Sequence, residues 1–87
     1  MICFDLQIRH PILHRDIVKI CDEINENITS DITISKPSIT RFVKAKSKLG
    51  MLSLDIKNGD ILNIQVIGDN SVNDAIMIEE LFGNVNK

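Results

Sequence analysis

An open-faced α+β sandwich, with four mostly antiparallel strands and every long helix on one side, is the fold class the sequence predicts. Three observations carry that expectation. Alternating or β-branched runs recur near residues 2–8, 31–45 and 60–68, and helical apolar stripes lie near 17–28 and 75–82. Their order reads β-α-β-β-α-β-α. So few helices cannot cover both faces of a four-stranded sheet, so one face must stay open to solvent.

The first strand is "ICFDLQI", residues 2–8, where Phe4, Leu6 and Ile8 alternate with Asp5 and Gln7. Pro11 ends it. The first helix carries Ile17, Ile20, Cys21, Ile24 and Ile28 on one stripe, with Lys19, Asp22, Glu23 and Glu26 on the other side. "DITIS" and "SITRFVKA" are β-branched runs separated by Lys36 and Pro37, which predicts a hairpin with its turn at those two residues. "SKLGMLSL" opens on Ser47 as an N-cap and forms a helix of about two turns. Met51 and Leu54 should turn inward, with Leu49 and Leu52 on its more exposed side.

Asn58 and Gly59 make a turn into the fourth strand, "DILNIQVIG", which alternates at Ile61 or Leu62, Ile64 and Val66. The last helix takes Asn70 and Ser71 as capping residues, buries Ala75, Ile78, Leu81 and Phe82, and stops at Gly83. No repeat, linker or low-complexity segment interrupts this order. One domain spanning 1–87 is expected, because 87 residues at 44% hydrophobic and 25% charged leave room for a single core. Large clefts are not expected.

Composition also bears on function. The net charge is -2 and the ten Lys and Arg are scattered among acids, so no basic stripe offers itself to a phosphate backbone. Three Phe and no Trp or Tyr leave no stacking platform for single strands, so nucleic acid is not an expected partner. Cys3 and Cys21 form neither a CxxC nor a Cys/His cluster, which suits reduced thiols in a cytoplasmic protein. Asp5 and Arg9 interrupt the N-terminus before any long apolar run, so neither a signal peptide nor membrane insertion is expected. His10 and His14 have helical ligand spacing, but Pro11 between them breaks the helix that a metal pair would need. No metal and no cofactor are expected.

Residues 43–64, "VKAKSKLGMLSLDIKNGDILNI", resemble the HPr family, the histidine-containing phosphocarriers of the bacterial sugar phosphotransferase system. The matching features are Ala45-Lys46-Ser47, Gly50, Ser53-Leu54, Gly59-Asp60 before a strand, and a final acidic helix ending "EELF". The resemblance covers roughly residues 3–82 and implies the HPr-like β-α-β-β-α-β-α sandwich. In that family function rests on "GLHARPA" or a close variant before the first helix. There the His carries a phosphoryl group, the helix N-terminus offers unpaired N–H groups, and the Arg two residues later adds charge-assisted bonds.

Two registers compete for "PILHRDI". Matching His14 to the phosphorylated His puts Asp16 at the Arg position and Ile17 at the Pro position, and an acid there repels a phosphoryl group. Matching Arg15 to the family's Arg puts Leu13 at the phosphorylated position and His14 after it. The second register needs no gap from Cys3 through Ile24 and keeps Ile17, Ile20, Cys21 and Ile24 apolar, whereas the first buries Asp22 and Asn25 at a desolvation cost.

The leading expectation is therefore a regulatory or protein-binding HPr relative with a degenerate phosphohistidine motif. The alternative is a phosphocarrier that accepts phosphate on His14 from the general phosphotransferase enzyme and passes it to sugar-permease components. Either way it is a phosphoryl carrier at most, with no independent catalytic activity, acting as a monomer on phosphotransferase-system or regulatory proteins. An HPr fold recruited to an unrelated partner is the third reading. Arg15 is the candidate phosphate contact. Ser47 matches the serine that a dedicated kinase modifies in many low-GC Gram-positive HPr proteins, its other reading being a plain N-cap. Lys48 stands where that family often has an aliphatic docking residue. Leu49 and Leu52 are the candidate docking residues.

Overall fold

The computed structural model describes residues 1–83. The order is β1 (Ile2–Gln7), α1 (His14–Asn27), β2 (Asp31–Lys36), β3 (Arg41–Lys44), α2 (Lys48–Ser53), β4 (Ile61–Ile67) and α3 (Ser71–Gly83), with a single 3-10 turn, Pro37–Ile39, between β2 and β3. The strands form one sheet in the order β1-β4-β2-β3, every neighbouring pair antiparallel. The expected α+β sandwich is the observed one.

Alternation decides which face is covered. Phe4 pairs with Ile64, Ile64 with Ile34, and Ile34 with Val43, so these side chains share the helix side of the sheet. Against them pack Ile17, Ile20 and Ile24 from α1, Met51 from α2 with Leu54 at its C-cap, and Ile78 and Phe82 from α3. Each such side chain contributes about 1.5–3 kcal/mol on full burial, which is why a regular pattern suffices in so short a chain. Asp5, Asn63, Ser35 and Phe42 lie in register on the opposite, open face.

The hairpin departs from expectation. Ser38 and Ile39 are not in the third strand. The chain instead makes the 3-10 turn at Pro37–Ile39, closed by Thr40 N–H donating to the Pro37 carbonyl at 3.2 Å, with Thr40 left-handed at φ 49°. Pro37 has no N–H to give a ladder and its fixed φ suits the first position of such a turn. The turn therefore takes up residues that alternation had assigned to β3.

The start of α3 also differs. Asn70 acts through its backbone carbonyl, which accepts from Asp74 N–H at 3.0 Å, while its side-chain oxygen is taken by Asn73 Nδ2 at 3.0 Å. Ser71 is already the first helical residue. The stop expected at Gly83 turns on residues 84–87, which lie outside the described ones. Ile8 falls just past β1 but stays in register, donating to Asp60 O at 2.8 Å and accepting from Gly59 N–H at 2.7 Å. Gly59 itself turns at φ 94°, a conformation only glycine adopts at little cost.

Candidate functional site

The N-terminus of α1 is where the sequence placed its site. Leu13 is the N-cap, in extended conformation, and its side chain can accept nothing. The capping is done from inside the helix. Asp16, three residues on, turns its carboxylate back to accept the Leu13 N–H at 2.8 Å, while the Leu13 carbonyl accepts from the N–H groups of Asp16 and Ile17. A carboxylate in the first turn is also favoured by the helix dipole.

His14 and Arg15 are the first two helical residues, both exposed, and neither side chain makes a hydrogen bond or ion pair among the described residues. Leu13 is 49% exposed, a large apolar side chain presented to solvent just before them. Ile17, Ile20, Cys21 and Ile24 are buried, while Asp22 and Asn25 are exposed. His10 faces elsewhere, its Nε2 donating to the Phe82 carbonyl at the end of α3 at 2.9 Å.

The second part of the site is α2. Ser47 caps it, its Oγ accepting from Gly50 N–H at 3.2 Å. Gly50 allows α2 to lie close on β3, since a Cβ there would stand 3.1 Å from Ser47 Oγ and 3.2 Å from Val43 Cβ. Leu49 is 81% exposed, and Met51 and Leu54 are fully buried. Leu52 is less open than expected: it is half-buried and packs against the core.

Two contacts set α2 and the turn before it against α1, and a third, from Asn25 to Cys21, holds the Asn25 side chain within α1. Lys48 Nζ lies 3.3 Å from Asp22, and Asn25 Nδ2 donates to the carbonyls of Lys46 and Cys21 at 3.1 and 3.0 Å. Burial, and then the charge of Asp22, push the Cys21 thiol up, so it stays protonated beneath this seam. These contacts seat Ser47 against the middle of α1. At 1.5 Å per residue, Asp22 is about 12 Å along the axis from His14, at the helix start.

The sequence reading missed Lys36, which fixes the other end of α2. Lys36 is 7% exposed, and its Nζ donates to the carbonyls of Asp55 at 2.8 Å and Leu54 at 3.3 Å and pairs with Asp60 at 2.9 Å. It thus neutralises the negative end of the helix dipole and satisfies carbonyls the helix leaves open. Asp74 was missed as well. Buried at 2% exposure, it accepts from Ser30 Oγ at 2.5 Å and Ser30 N–H at 3.2 Å, pinning α3 to the start of β2. Only the oddity of a polar residue at a buried period could have flagged either.

Among the described residues no helix is long and apolar enough to cross a membrane. No curated protein matches the chain. The structure is similar to the phosphocarrier protein HPr from Bacillus anthracis str. Ames, with a TM-score of 0.82 and 23% identity over 92% of this chain and 94% of that one. It is also similar to HPr-C-His from Thermoanaerobacter tengcongensis, with a TM-score of 0.77 and 22% identity over 97% and 98% of the two chains. At such identities the likeness speaks for the fold. The family model described as the PTS HPr component phosphorylation site matches residues 6–84, nearly the whole length, and on that match the chain belongs to the HPr family of the phosphotransferase system.

Proposed function

We propose that this protein works in the phosphotransferase system as a binding or regulatory member that no longer carries phosphate on its helix N-terminus. The observation that supports this most directly is the Asp16 carboxylate accepting the Leu13 N–H at 2.8 Å. A phosphoryl group brought to this helix end would meet a negative charge already held there, and like charges at that range oppose each other. Leu13, the N-cap residue, offers no ring nitrogen to attack a phosphoryl donor. The exposed apolar side chains of Leu13 and Leu49 instead suit contact with a protein surface, with Arg15 at the rim.

Ser47 is the candidate regulatory position in this reading. Its exposed hydroxyl already caps α2, and a phosphate there would face the positive end of the helix dipole, so modification would change the charge of the surface without undoing the helix. The expected partners are proteins of the phosphotransferase system.

The test is incubation with phosphoenolpyruvate and the general phosphotransferase enzyme, followed by intact mass at neutral pH. The native chain is expected to gain nothing. The triple variant Leu13→His, His14→Ala, Asp16→Pro, which rebuilds His-Ala-Arg-Pro at residues 13–16, is expected to gain one phosphate. One phosphate on the native chain that disappears in His14→Ala and persists in His10→Ala would overturn the proposal and restore the carrier reading.

A further inference from the structure

The open face of the sheet is hollowed, and side-chain length makes the hollow. Thr33 and Ser35 on β2 are short, while Phe42 on β3 and Asn63 and Gln65 on β4 stand taller on either side. Ser35 pairs with both Phe42 and Asn63, and Thr33 with Gln65, so these five residues share one face. They bound about 360 Å³. That lies near the lower end of small-molecule sites, about 300–1,000 Å³. Strand spacing and rise make the floor about 10 by 7 Å, room for one six-membered ring and its substituents. The hollow faces away from α1, α2 and α3, so it is separate from the surface that carries Leu13, Ser47 and Leu49.

The lining is two hydroxyls, two amides and one aromatic ring, without a formal charge. The nearest charges in register, Asp5 beside Asn63 and Lys44 beside Thr33, stand outside it and are of opposite sign. Phe42 is 73% exposed, a large apolar ring whose covering would be favourable. The polar groups are only loosely engaged. Ser35 Oγ donates to the Asn63 carbonyl at 3.5 Å, Asn63 Nδ2 donates to Asp5 at 3.1 Å, and Gln65 Nε2 meets the weak acceptor Met1 Sδ at 3.0 Å. The amide oxygens and hydroxyl lone pairs are left to accept from a ligand. An ion would lose its hydration without meeting an opposite charge in the lining, and a wholly apolar ligand would strand the hydroxyls and amides. A neutral ring with C–H groups on its face and hydroxyls around its rim satisfies both halves of the lining, and a pyranose is such a ring.

We infer that the open face is a binding site for a single neutral pyranose, which lays its C–H face on Phe42 and exchanges hydrogen bonds with Thr33, Ser35, Asn63 and Gln65. A site so open to solvent covers only one side of its ligand, which sets the Kd in the millimolar range. The site stands whether or not the start of α1 carries phosphate, because it uses neither α1 nor α2.

Titration of the native chain with glucose, galactose and N-acetylglucosamine, followed by nuclear magnetic resonance of the backbone amides, tests this. At least one of the three is expected to move the resonances of β2, β3 and β4 around the hollow and to saturate at millimolar concentration. Mannitol, an open-chain polyol without a ring face, should move them less. Phe42→Ala should weaken the binding about tenfold, and Thr33→Val, which keeps the shape and removes the hydroxyl, should weaken it severalfold. Phe42 is exposed, so its removal spares the core, and far-ultraviolet circular dichroism establishes that each variant is folded. No shift with any of the three sugars up to about 100 mM would overturn the inference, as would binding that Phe42→Ala leaves unchanged. Tighter binding of a phosphorylated glucose, or of adenosine with its planar base, would also overturn it, by showing that the face selects an anion or a flat aromatic ring rather than a neutral sugar.

Discussion

Replacing Lys36 with Met should cost this small domain a large share of its stability. The substitution keeps the length of the side chain and removes only the ammonium group. In the native chain all three Nζ protons are engaged, by the Asp55 carbonyl at 2.8 Å, the Asp60 carboxylate at 2.9 Å and the Leu54 carbonyl at 3.3 Å. Each bond from a charged donor is worth about 1.5–3 kcal/mol, but the gains do not add fully, because burying the ammonium costs desolvation that Met avoids. Asp60 keeps the Lys57 N–H at 2.8 Å and some contact with water, which softens the loss further.

The net expectation is a loss of about 3 kcal/mol. For a domain of this length that lowers Tm by roughly 12–24 °C. Urea unfolding followed by circular dichroism gives the free energy directly, and an unchanged m value would show that the unfolded state is the same. A double-mutant cycle with Asp60→Asn then isolates the ion pair, whose coupling should exceed about 1 kcal/mol. A loss below about 1 kcal/mol for Lys36→Met, or additive effects in the cycle, would refute the reasoning and mean that the ammonium is solvated rather than holding α2.

Three further outcomes follow from the same geometry. Burial alone would raise the Asp60 carboxyl, but the hydrogen bonds from Lys36 and from Lys57 N–H, with the two nearby positive charges, outweigh it and hold the group below its ordinary value. A depressed acid stabilises the fold fully above its unfolded value of about 3.9 and loses that contribution as pH falls through the lower, folded one. Stability measured by urea unfolding should therefore drop below about pH 4, and the drop should be shallower in Lys36→Met. Asp74→Ala strands the Ser30 Oγ–H and N–H and should cost about 2–3 kcal/mol, read from the urea midpoint, with less loss when Ser30→Ala is added. Leu49→Asp, at a side chain 81% exposed, should leave stability unchanged and weaken binding to the general phosphotransferase enzyme about tenfold by calorimetry. Leu52 is the poorer probe, because its contact with the core confounds docking with folding.

Much of the fold is legible because its information is local. Alternation in β1, β2 and β4, the stripe from Ile17 to Ile24, and the Ser47 cap each lie within a few residues of one another, and period alone assigns their buried sides. The same locality explains the misassigned hairpin. Ser38 and Ile39 have strand-like neighbours, and only the closure of Pro37–Ile39 onto Thr40 shows that they belong to a turn.

At the site, the sequence by itself determined which residue types stand before the first helix, and with them the absence of a histidine at Leu13 and the acid at Asp16. It could not show that Asp16 reaches back to Leu13 N–H, because the direction of a first-turn side chain depends on how the chain enters the helix. Tertiary structure alone decided that Lys36 is buried, that Asp74 holds Ser30, and that Leu52 is partly core. Lys36 meets Asp60 and Asp74 meets Ser30 across long stretches of chain, and a polar residue's partner at that separation is chosen by packing, which leaves no period in the sequence to be read.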